Sequence, residues 1–436
     1  MKRFFTLIFV FLALLPVILT TPSCPSGFKL VNKNKCLKVF SEYDKHFEAE
    51  SVCRGYGGTF ATAHNAIDNR AIVSFAGNAA LAYIWMGMFC FGNQSSTCYH
   101  DDGSGVVKYN NFAPGMPKVD STIRDGGCVY TPAFGNDAGK WYSGPCEWTG
   151  IEYVCEVPVT KNDTCTYNYN GNCYFPSNLL PIEDVDRNFY DALNICHTHS
   201  MELLSIHSRR EIDFIKSIYK NSGIVELTLG AQAIQKNLFD WTDGTNFDYD
   251  NFDPLSTTNG SCLQMDLSER DDIGMWYQTD CLTVKYFMCV RPAGSTTGAI
   301  EISTKEKRVN PKFQATRFTP PKILDLSDSS NCNTTLLLAP GVITSLGYSD
   351  NKPLIAYCSW KVAVLGPYRL GLYFTDFSVK NPVNVYSDNN TLLDSFDDNK
   401  TPFSLLAPSN LVTLTHDSVN DGVNNYHGFS ATVLPY

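Results

Sequence analysis

Two copies of one cysteine-bearing pattern run through this chain, and this duplication limits the possible folds more than any other feature. Residues 46–53 recur as residues 189–196 at an offset of 143 positions, and the register holds without a gap through Gly87 and Gly230. Three later cysteines recur about 134 positions further on: Cys128 with Cys262, Cys146 with Cys281, and Cys155 with Cys289. A spacing kept over this length predicts a duplicated domain.

The change of offset locates an insertion in the first copy. Because the offset falls from 143 to about 134, the first copy carries about nine extra residues between Gly87 and Cys128. The same interval contains Cys90 and Cys98, which have no counterparts in the second copy. We therefore predict an inserted loop that is closed by its own disulfide.

The 16 cysteines are an even number and suggest disulfides formed in an oxidising compartment. Sequence alone does not fix the connectivity of so many cysteines. The repeat reduces the number of possible pairings, because equivalent cysteines in the two copies can be paired in the same way and every cysteine then has a partner. Zinc binding is disfavoured, since no two cysteines are spaced as a Cys-x2-Cys pair. The predicted pairs are Cys24 with Cys36, Cys53 with Cys155, Cys90 with Cys98, Cys128 with Cys146, Cys165 with Cys173, Cys196 with Cys289, Cys262 with Cys281, and Cys332 with Cys358.

The N-terminus predicts export. Lys2 and Arg3 precede an apolar run from Phe4 to Leu19, which is typical of a secretory signal peptide over residues 1–20. The run of about 16 residues is shorter than the roughly 20 that span a bilayer, and an uncleaved anchor is the alternative. Cleavage leaves 416 residues without a further spanning run, so we expect a secreted, extracellular protein with no membrane span in the mature chain.

Six Asn-x-Ser/Thr sequons agree with an exported glycoprotein, although each is a weak signal by itself. They lie at Asn93, Asn162, Asn259, Asn333, Asn389 and Asn399.

Charge and composition exclude several classes. The chain has 44 acidic and 34 basic residues and a net charge of −10, so it is poorly suited to neutralising phosphates, and we expect no nucleic-acid partner. With 44% hydrophobic and 18% charged residues, its composition is that of a folded protein. Its 436 residues suggest about three domains.

Hydrophobic periodicity indicates an α+β module in each copy. In the second copy, Phe189, Ala192 and Cys196 recur at helical spacing, and Ile212 and Ile215 mark a second helix behind Ser208, a predicted N-cap. Short alternating strands then enclose a loop rich in Asp, Asn, Thr and Gly over residues 240–260.

The order of these motifs resembles the C-type lectin-like domain. It includes a helical Ala-x-x-x-Cys, a Trp-x-Gly or Leu-x-Gly strand, the Trp-Thr-Asp-Gly turn at 241–244, the Asn-Phe steps at 111–112 and 251–252, a Trp and the closing cysteines. The resemblance covers about residues 24–157 (the first repeat) and 165–291 (the second repeat). It implies two disulfide-stapled domains of this fold, with Cys24–Cys36 and Cys165–Cys173 as the N-terminal hairpin bridges of its long form.

Sugar-binding members of this family hold calcium with carboxylate and amide oxygens, which suit a hard cation. They use Glu-Pro-Asn or Gln-Pro-Asp in the long loop and Trp-Asn-Asp on a strand. The matching residues are Met116-Pro117-Lys118 and Trp141-Tyr142-Ser143 in the first repeat, and Ser256-Thr257-Thr258 and Trp276-Tyr277-Gln278 in the second. We therefore predict that both repeats lack the usual calcium-dependent sugar site, and we assign neither a metal ligand nor a certain cofactor.

Other acidic residues of the second repeat leave calcium open as a cofactor, since they form either a different calcium site or a solvated acidic loop. They are Asp248, Asp250, Asp253, Asp266, Glu269, Asp271 and Asp272. Trp141 and Trp276 are expected in the core rather than as ligand platforms, and His64 and His207 are expected in local capping or surface roles rather than as ligands.

The ligand-binding residues are unknown from sequence, but stacking on aromatic rings of the long loops would bind sugar or protein without calcium. The candidates are Phe89, Phe91, Tyr99, Tyr109, Phe112, Phe247, Tyr249 and Phe252.

The C-terminal part has a different composition. Residues 292–331 are rich in Ser, Thr, Lys and Pro and are predicted to be a linker. Residues 332–436, the C-terminal module, show short alternating strands that predict an all-β sandwich. The spacing of Cys332, Tyr357-Cys358-Ser359-Trp360 and Asp376-Phe377 resembles a CUB-like domain, although that family's second disulfide is missing.

Two lectin-like domains followed by a CUB-like domain resemble a group of secreted nematode C-type lectin proteins associated with innate immunity, a fold-level analogy. It favours a recognition protein that binds a glycan or protein ligand, including one on a microbial surface. The alternative is a structural extracellular matrix or scaffold glycoprotein without a soluble ligand. We predict no enzyme and no catalytic residue, because the chain has no Gly-x-Ser-x-Gly or His-Glu-x-x-His motif and its cysteines are committed to bridges.

Overall fold

The structure is a computed structural model. It describes residues 21–119, 126–182, 187–235, 238–268, 274–282, 284–295, 332–334, 336–348, 355–366, 368–419 and 426–436. The predicted signal peptide, nearly all of the predicted linker, and Glu269, Asp271 and Asp272 lie outside these residues. Within the described residues, the structure contains no helix that is long and apolar enough to cross a membrane.

The first repeat is an α+β unit in which two helices pack on a nine-stranded sheet, β2 to β10. A short strand pair, β1 with β11, lies beside it, and a 3-10 turn spans Ser95–Thr97. The helices and strands are α1 His46–Arg54, α2 Ala66–Asn78, β1 Pro22–Ser23, β2 Lys29–Val31, β3 Lys35–Phe40, β4 Thr59–Phe60, β5 Tyr83–Cys90, β6 Cys98–His100, β7 Gly105–Val106, β8 Cys128–Pro132, β9 Tyr142–Gly144, β10 Glu152–Val157 and β11 Thr160–Lys161.

The second repeat has the same plan, with two helices and two four-stranded sheets, β12-β13-β19-β14 and β16-β15-β17-β18. A 3-10 turn spans Ser177–Leu179. The helices and strands are α3 Phe189–Thr198, α4 Arg209–Tyr219, β12 Tyr167–Tyr169, β13 Asn172–Pro176, β14 Glu202–Leu203, β15 Glu226–Gln235, β16 Leu238–Trp241, β17 Cys262–Asp266, β18 Trp276–Thr279 and β19 Met288–Pro292.

Polar side chains fix where the helices begin. The Ser208 side chain accepts a hydrogen bond from the Glu211 amide at the start of α4, so the predicted N-cap is confirmed. Asn188 forms a reciprocal capping box with Asp191 at the start of α3. Asn65 caps α2 by accepting from two backbone amides. These caps satisfy amides that have no partner within their helix.

All 16 cysteines are disulfide-bonded. The pairs are those predicted from the sequence: Cys24–Cys36, Cys53–Cys155, Cys90–Cys98, Cys128–Cys146, Cys165–Cys173, Cys196–Cys289, Cys262–Cys281 and Cys332–Cys358. The bridge from Cys90 to Cys98 joins the end of β5 to β6, so it closes the segment that is inserted in the first repeat.

The C-terminal module is all-β, as expected. Its strands form one eight-stranded hydrogen-bonded sheet in which the 18-residue strand β23 pairs with four others. The side chains of Trp360, Phe374 and Phe429 lie in its core. The strands are β20 Leu337–Leu338, β21 Gly341–Thr344, β22 Ile355–Ala363, β23 Leu370–Ser387, β24 Leu392–Lys400, β25 Phe403–Leu406, β26 Leu411–Val419 and β27 Gly428–Pro435.

The hydrogen bonds of the second repeat continue to residues 292–294, beyond residue 291. Strand β19 ends at Pro292, and the buried Ala293 donates its amide to the Gly171 carbonyl. The Gly294 amide donates to Asp163. The two repeats also touch, because the buried Tyr169 hydroxyl donates to the Gly57 carbonyl at 2.6 Å.

Candidate ligand-binding loops

The long loop of the first repeat is anchored at its middle by one buried serine. The Ser143 hydroxyl accepts from the Lys118 amide at 2.7 Å and donates to the Lys118 carbonyl at 2.9 Å. The same oxygen lies 3.7 Å from the Met116 sulfur. The Asn93 side chain accepts from the Val119 amide at 2.6 Å, so β9 and the inserted loop both hold this segment.

The side chains at these positions present few hard oxygen ligands. Met116 is half-buried, Pro117 is buried behind a cis peptide bond, and Lys118 is exposed. The Ser143 hydroxyl is already engaged by the Lys118 backbone. The loop therefore presents a thioether and an ammonium group where carboxylates would hold calcium.

In the second repeat, the loop hydroxyls bond to each other. Ser256 Oγ and Thr258 Oγ1 are 2.8 Å apart, and the Thr258 amide donates to Ser256 Oγ. Nearby, Asp253 accepts from the Leu255 amide at 2.8 Å. These contacts stabilise local turns, as short polar side chains commonly do.

Among the residues that the structure describes, the remaining acidic candidates Asp248, Asp250 and Asp266 do not cluster at metal-ligand distance. Asp248 pairs with His207, and Asp266 accepts from the Ser268 amide at 2.7 Å. Burial raises the pKa of the Asp250 carboxyl above its ordinary value. In the part of the chain that the structure describes, only Asp163, Cys165 and Cys173 cluster at metal-ligand distance, and both of those cysteines are in their disulfide.

His64 and His207 tie the start of the second helix of each repeat to the loops beside it. His64 Nε2 lies 2.8 Å from Asp102, and His207 Nδ1 lies 2.8 Å from Asp248. His207 Nε2 also lies 3.2 Å from the Ser205 hydroxyl. These contacts agree with the local role that the sequence suggested.

Trp141 and Trp276 are fully buried, as predicted. The Trp141 indole donates to the Asn69 side chain at 2.9 Å, and the Asn69 amide group donates to the Gly139 carbonyl. The Trp276 ring is surrounded edge-on by four aromatic rings of the loop: Trp241, Phe247, Tyr249 and Phe252.

The aromatic candidates of the long loops are all half-buried. Instead, the first repeat has a more exposed aromatic cluster on its sheet, formed by Tyr83, Tyr130, Tyr142 and Trp148, with ring centroids 5.7 to 6.2 Å from Tyr130. Sequence analysis missed this cluster because it depends on strand register, which places Tyr142 opposite Tyr130 across β8 and β9.

An open groove of about 540 Å³ lies between α2 and the 133–139 loop of the first repeat. Arg70, Tyr109 and Phe134 line it. Phe134 is 53% exposed, and Arg70 is exposed on the surface of α2. The groove combines aromatic surface with a cation and polar groups, a mixture common in ligand sites. Of these residues, sequence analysis had proposed only Tyr109.

The sequence profile of the Lectin C-type domain matches residues 44–157 and 185–291. The chain belongs to the C-type lectin domain family. The two C-type lectin domains thus coincide with the two repeats, and members of this family bind carbohydrate or protein ligands.

Two relatives match this chain over about 280 residues each. The chain is 35% identical over 281 residues to C-type lectin domain-containing protein 38 of Caenorhabditis elegans, covering 62% of this chain and 70% of that protein. It is 23% identical over 283 residues to the human secretory phospholipase A2 receptor, covering 59% of this chain but only 18% of the receptor.

Solved structures that are similar to parts of the chain include human lithostathine (22% identity, TM-score 0.25, 28% of this chain and 85% of that one). The cow CD23 C-type carbohydrate-recognition domain, solved with a GlcNAc2Man3 oligosaccharide, matches with 22% identity and a TM-score of 0.25, covering 31% of this chain and 100% of that one. The CUB1-EGF-CUB2 domains of rat MASP-1 match with 22% identity and a TM-score of 0.21, covering 23% of this chain and 42% of that one.

The six sequon asparagines, spread over the two C-type lectin domains and the C-terminal module, are all exposed: Asn93, Asn162, Asn259, Asn333, Asn389 and Asn399.

Proposed function

We propose that the chain is a secreted, non-enzymatic recognition protein whose C-type lectin domains bind a carbohydrate or protein ligand without the family's usual calcium site. The observation that carries this proposal is the anchoring of the first long loop by the Ser143 hydroxyl, which bonds to both the amide and the carbonyl of Lys118. The conformation of this loop is thus stabilised by a protein side chain at the position where other family members use calcium ligands.

At the described loop positions that match the family's ligand motifs, the donor groups do not fit calcium. A calcium site needs six to eight oxygen ligands, several of them from carboxylates. The first loop offers Met116 and Lys118, and in the second loop Ser256 and Thr258 are bonded to each other. No binding step is therefore assigned to calcium in either domain.

The groove beside α2 supplies an alternative ligand surface in the first domain. Phe134 and Tyr109 offer aromatic faces for stacking on a sugar or an apolar side chain, while Arg70 offers hydrogen-bond donors. This groove adjoins the long loop through Tyr109, so the proposed recognition surface belongs to the loop region.

Substitution within the groove tests this surface. The mature glycosylated protein is first screened on glycan and extracellular-protein arrays, and its best ligand is then titrated against Phe134→Ala and Arg70→Ala variants. We expect each variant to weaken binding about tenfold, the loss that corresponds to about 1.4 kcal/mol of contact energy.

Matched surface substitutions serve as controls, since Leu179→Ala removes an apolar side chain that is 62% exposed elsewhere and Lys220→Ala removes an exposed cation. Unchanged affinity in both groove variants would exclude the groove. A ligand that binds only the isolated C-terminal module would contradict the proposal as a whole.

Innate defence is the biological setting that we propose, with a glycan or protein of a microbial surface as the partner. Support comes from the two tandem C-type lectin domains together with the resemblance of residues 332–436 to a CUB-like domain. Two domains in one chain raise the avidity for a repetitive surface when both sites engage at once.

A further inference from the structure

One tyrosine of the C-terminal module contacts both C-type lectin domains. Tyr368 is 7% exposed, and its hydroxyl donates to Asp213 Oδ2 of the second domain at 2.6 Å. Asp213 Oδ1 accepts from Arg54 Nε of the first domain at 3.1 Å. The Arg54 and Arg209 guanidinium groups lie 5.3 and 5.2 Å from the centre of the Tyr368 ring. Three modules therefore meet around Tyr368.

The segment just before Tyr368 reaches a second buried cluster. The Gly366 amide donates to Asp101 Oδ1 of the first domain at 3.3 Å, and both residues are buried. Arg369, on the other side of Tyr368, lies over the Phe47 ring of α1. Gly366 and Arg369 thus both contact the first domain, and we call the described residues 364–366, 368 and 369 the docking loop.

Asp101 lies beside Glu50 and His46, and all three side chains are nearly inaccessible to water, with exposures of 6%, 3% and 5%. Glu50 Oε1, Asp101 Oδ2 and His46 Nε2 are buried and have no hydrogen-bond partner among the residues that the structure describes. Two adjacent buried carboxyls satisfy each other only when at least one holds a proton and donates it. A proton held between Glu50 and Asp101 would satisfy both of these carboxyl oxygens.

Electrostatics agree with this geometry. Burial raises the pKa of Glu50 to about 8 and raises the pKa of Asp101 well above its ordinary value, with the Glu50 charge adding to the effect on Asp101. Burial lowers the pKa of His46 to about 4, so this ring is neutral near pH 7 and offers no compensating charge.

The other charged groups of the junction lie outside this pair. Arg54, Arg209 and Asp213 surround Tyr368, and Arg369 lies over Phe47. From the side of the C-terminal module, the group that faces Asp101 is the Gly366 amide, which is uncharged.

We propose that the shared proton of Glu50 and Asp101 controls the docking of the C-terminal module onto the C-type lectin domains. The docked state holds this proton, whereas the released state exposes both carboxyls to water, where they ionise near pH 4. Docking is therefore strongest at acidic pH and weakens as the pH rises towards 8, because the released state binds fewer protons. The device sets the relative arrangement of the modules independently of which ligand the domains bind.

Hydrogen exchange of the docking loop tests this latch in the full mature chain. Exchange of peptides containing Gly366 is measured between pH 6.5 and 8 and corrected for the intrinsic pH dependence of exchange. Below pH 6.5, protonation of His46 in the released state would favour release and would oppose the effect of the two carboxyls. The measurements therefore begin at pH 6.5. We expect protection to fall by up to tenfold per pH unit for each carboxyl that ionises on release.

Two substitutions remove the titration while keeping the shape of the side chains. Glu50→Gln and Asp101→Asn should each flatten the pH dependence of Gly366 protection, and Glu48→Gln, an exposed substitution on the same helix, should leave it unchanged. Small-angle scattering of the same samples should show the unmodified chain expanding towards pH 8.

A pH-independent protection of Gly366 in the unmodified chain would overturn the proposal. So would a full slope that persists in Glu50→Gln and in Asp101→Asn. Two variants are used so that a folding defect in one of them still leaves the other as a test.

Discussion

Asn69 joins helix α2 to residues 139–141 of the first C-type lectin domain through one buried side chain. It accepts from the Trp141 indole and donates to the Gly139 carbonyl, which lies next to the groove. Replacing Asn69 with alanine leaves the buried Trp141 indole N–H without its partner, whereas the Gly139 carbonyl keeps a hydrogen bond from Asn111. We expect a loss of about 1 to 3 kcal/mol of local stability. Hydrogen exchange of peptides from α2 and residues 139–141 measures the loss.

The matched substitution is Asn78→Ala, at the exposed end of the same helix. It should leave exchange near Trp141 unchanged. Equal effects of the two substitutions would contradict the bridging role of Asn69.

Asp163 makes the second domain sensitive to acid. It pairs with Arg291 at 2.7 Å and accepts from the Gly294 amide, and the hydrogen bond from Arg291 holds the pKa of Asp163 well below its ordinary value of 3.8. The pair therefore stabilises the folded domain at neutral pH, and this contribution is lost as the pH falls below about 4. Unfolding followed between pH 2 and 7 should show this loss in the unmodified chain and a shallower dependence in Asp163→Asn. Identical profiles would contradict the assignment.

Among the elements, the disulfides differ in how much chain they constrain. Cys53–Cys155 closes 102 residues, whereas Cys90–Cys98 closes 8. In the chain-entropy account, the longer bridge stabilises by about 4 to 5 kcal/mol and the shorter by about 2 to 3 kcal/mol. Replacing both cysteines of each bridge with serine, followed by thermal unfolding, should lower the melting temperature more for the long bridge. A larger effect of the short bridge would contradict this ranking.

The helices could be predicted from the sequence, whereas the exposed aromatic cluster around Tyr130 could not. Periodicity and Ser208 predicted α4 because a helix signal is local, and the duplicated cysteines predicted the domain repeat. The aromatic cluster around Tyr130 depends on which strand residues lie opposite each other, such as Tyr130 and Tyr142. No turn fixes that register in the sequence, so the cluster was predictable only from the folded sheet.

At the scale of the whole molecule, Tyr368 should determine how tightly the C-terminal module is held. Tyr368→Phe removes the hydroxyl that donates to the buried Asp213 carboxylate, a bond worth about 1.5 to 3 kcal/mol. Small-angle scattering at one fixed pH should show an increased radius of gyration.

Tyr357→Phe is the matched control, because this tyrosine of the same module is 59% exposed. An unchanged radius in Tyr368→Phe, or an equal increase in both variants, would contradict the role of Tyr368.

The junction of the three modules could not be predicted from sequence. Asp101, Asp213 and Tyr368 are separated by more than 100 positions in the chain, and neither periodicity nor the repeat brings them together. The sequence predicted that aromatic residues of the long loops contribute to recognition. It did not predict the groove residues Arg70 and Phe134, because they come together only when α2 packs against the 133–139 loop.

Ligand binding measured with and without calcium tests whether this protein recognises its ligand independently of calcium. The mature glycosylated protein is applied to a broad glycan and protein array in calcium and again in an excess of chelator. Because the long loops contain Met116, Lys118 and mutually bonded hydroxyls where calcium ligands would lie, we predict that the binding pattern and intensity are the same in both conditions. Binding that disappears in chelator and returns with added calcium would show that recognition depends on calcium and would overturn the proposal.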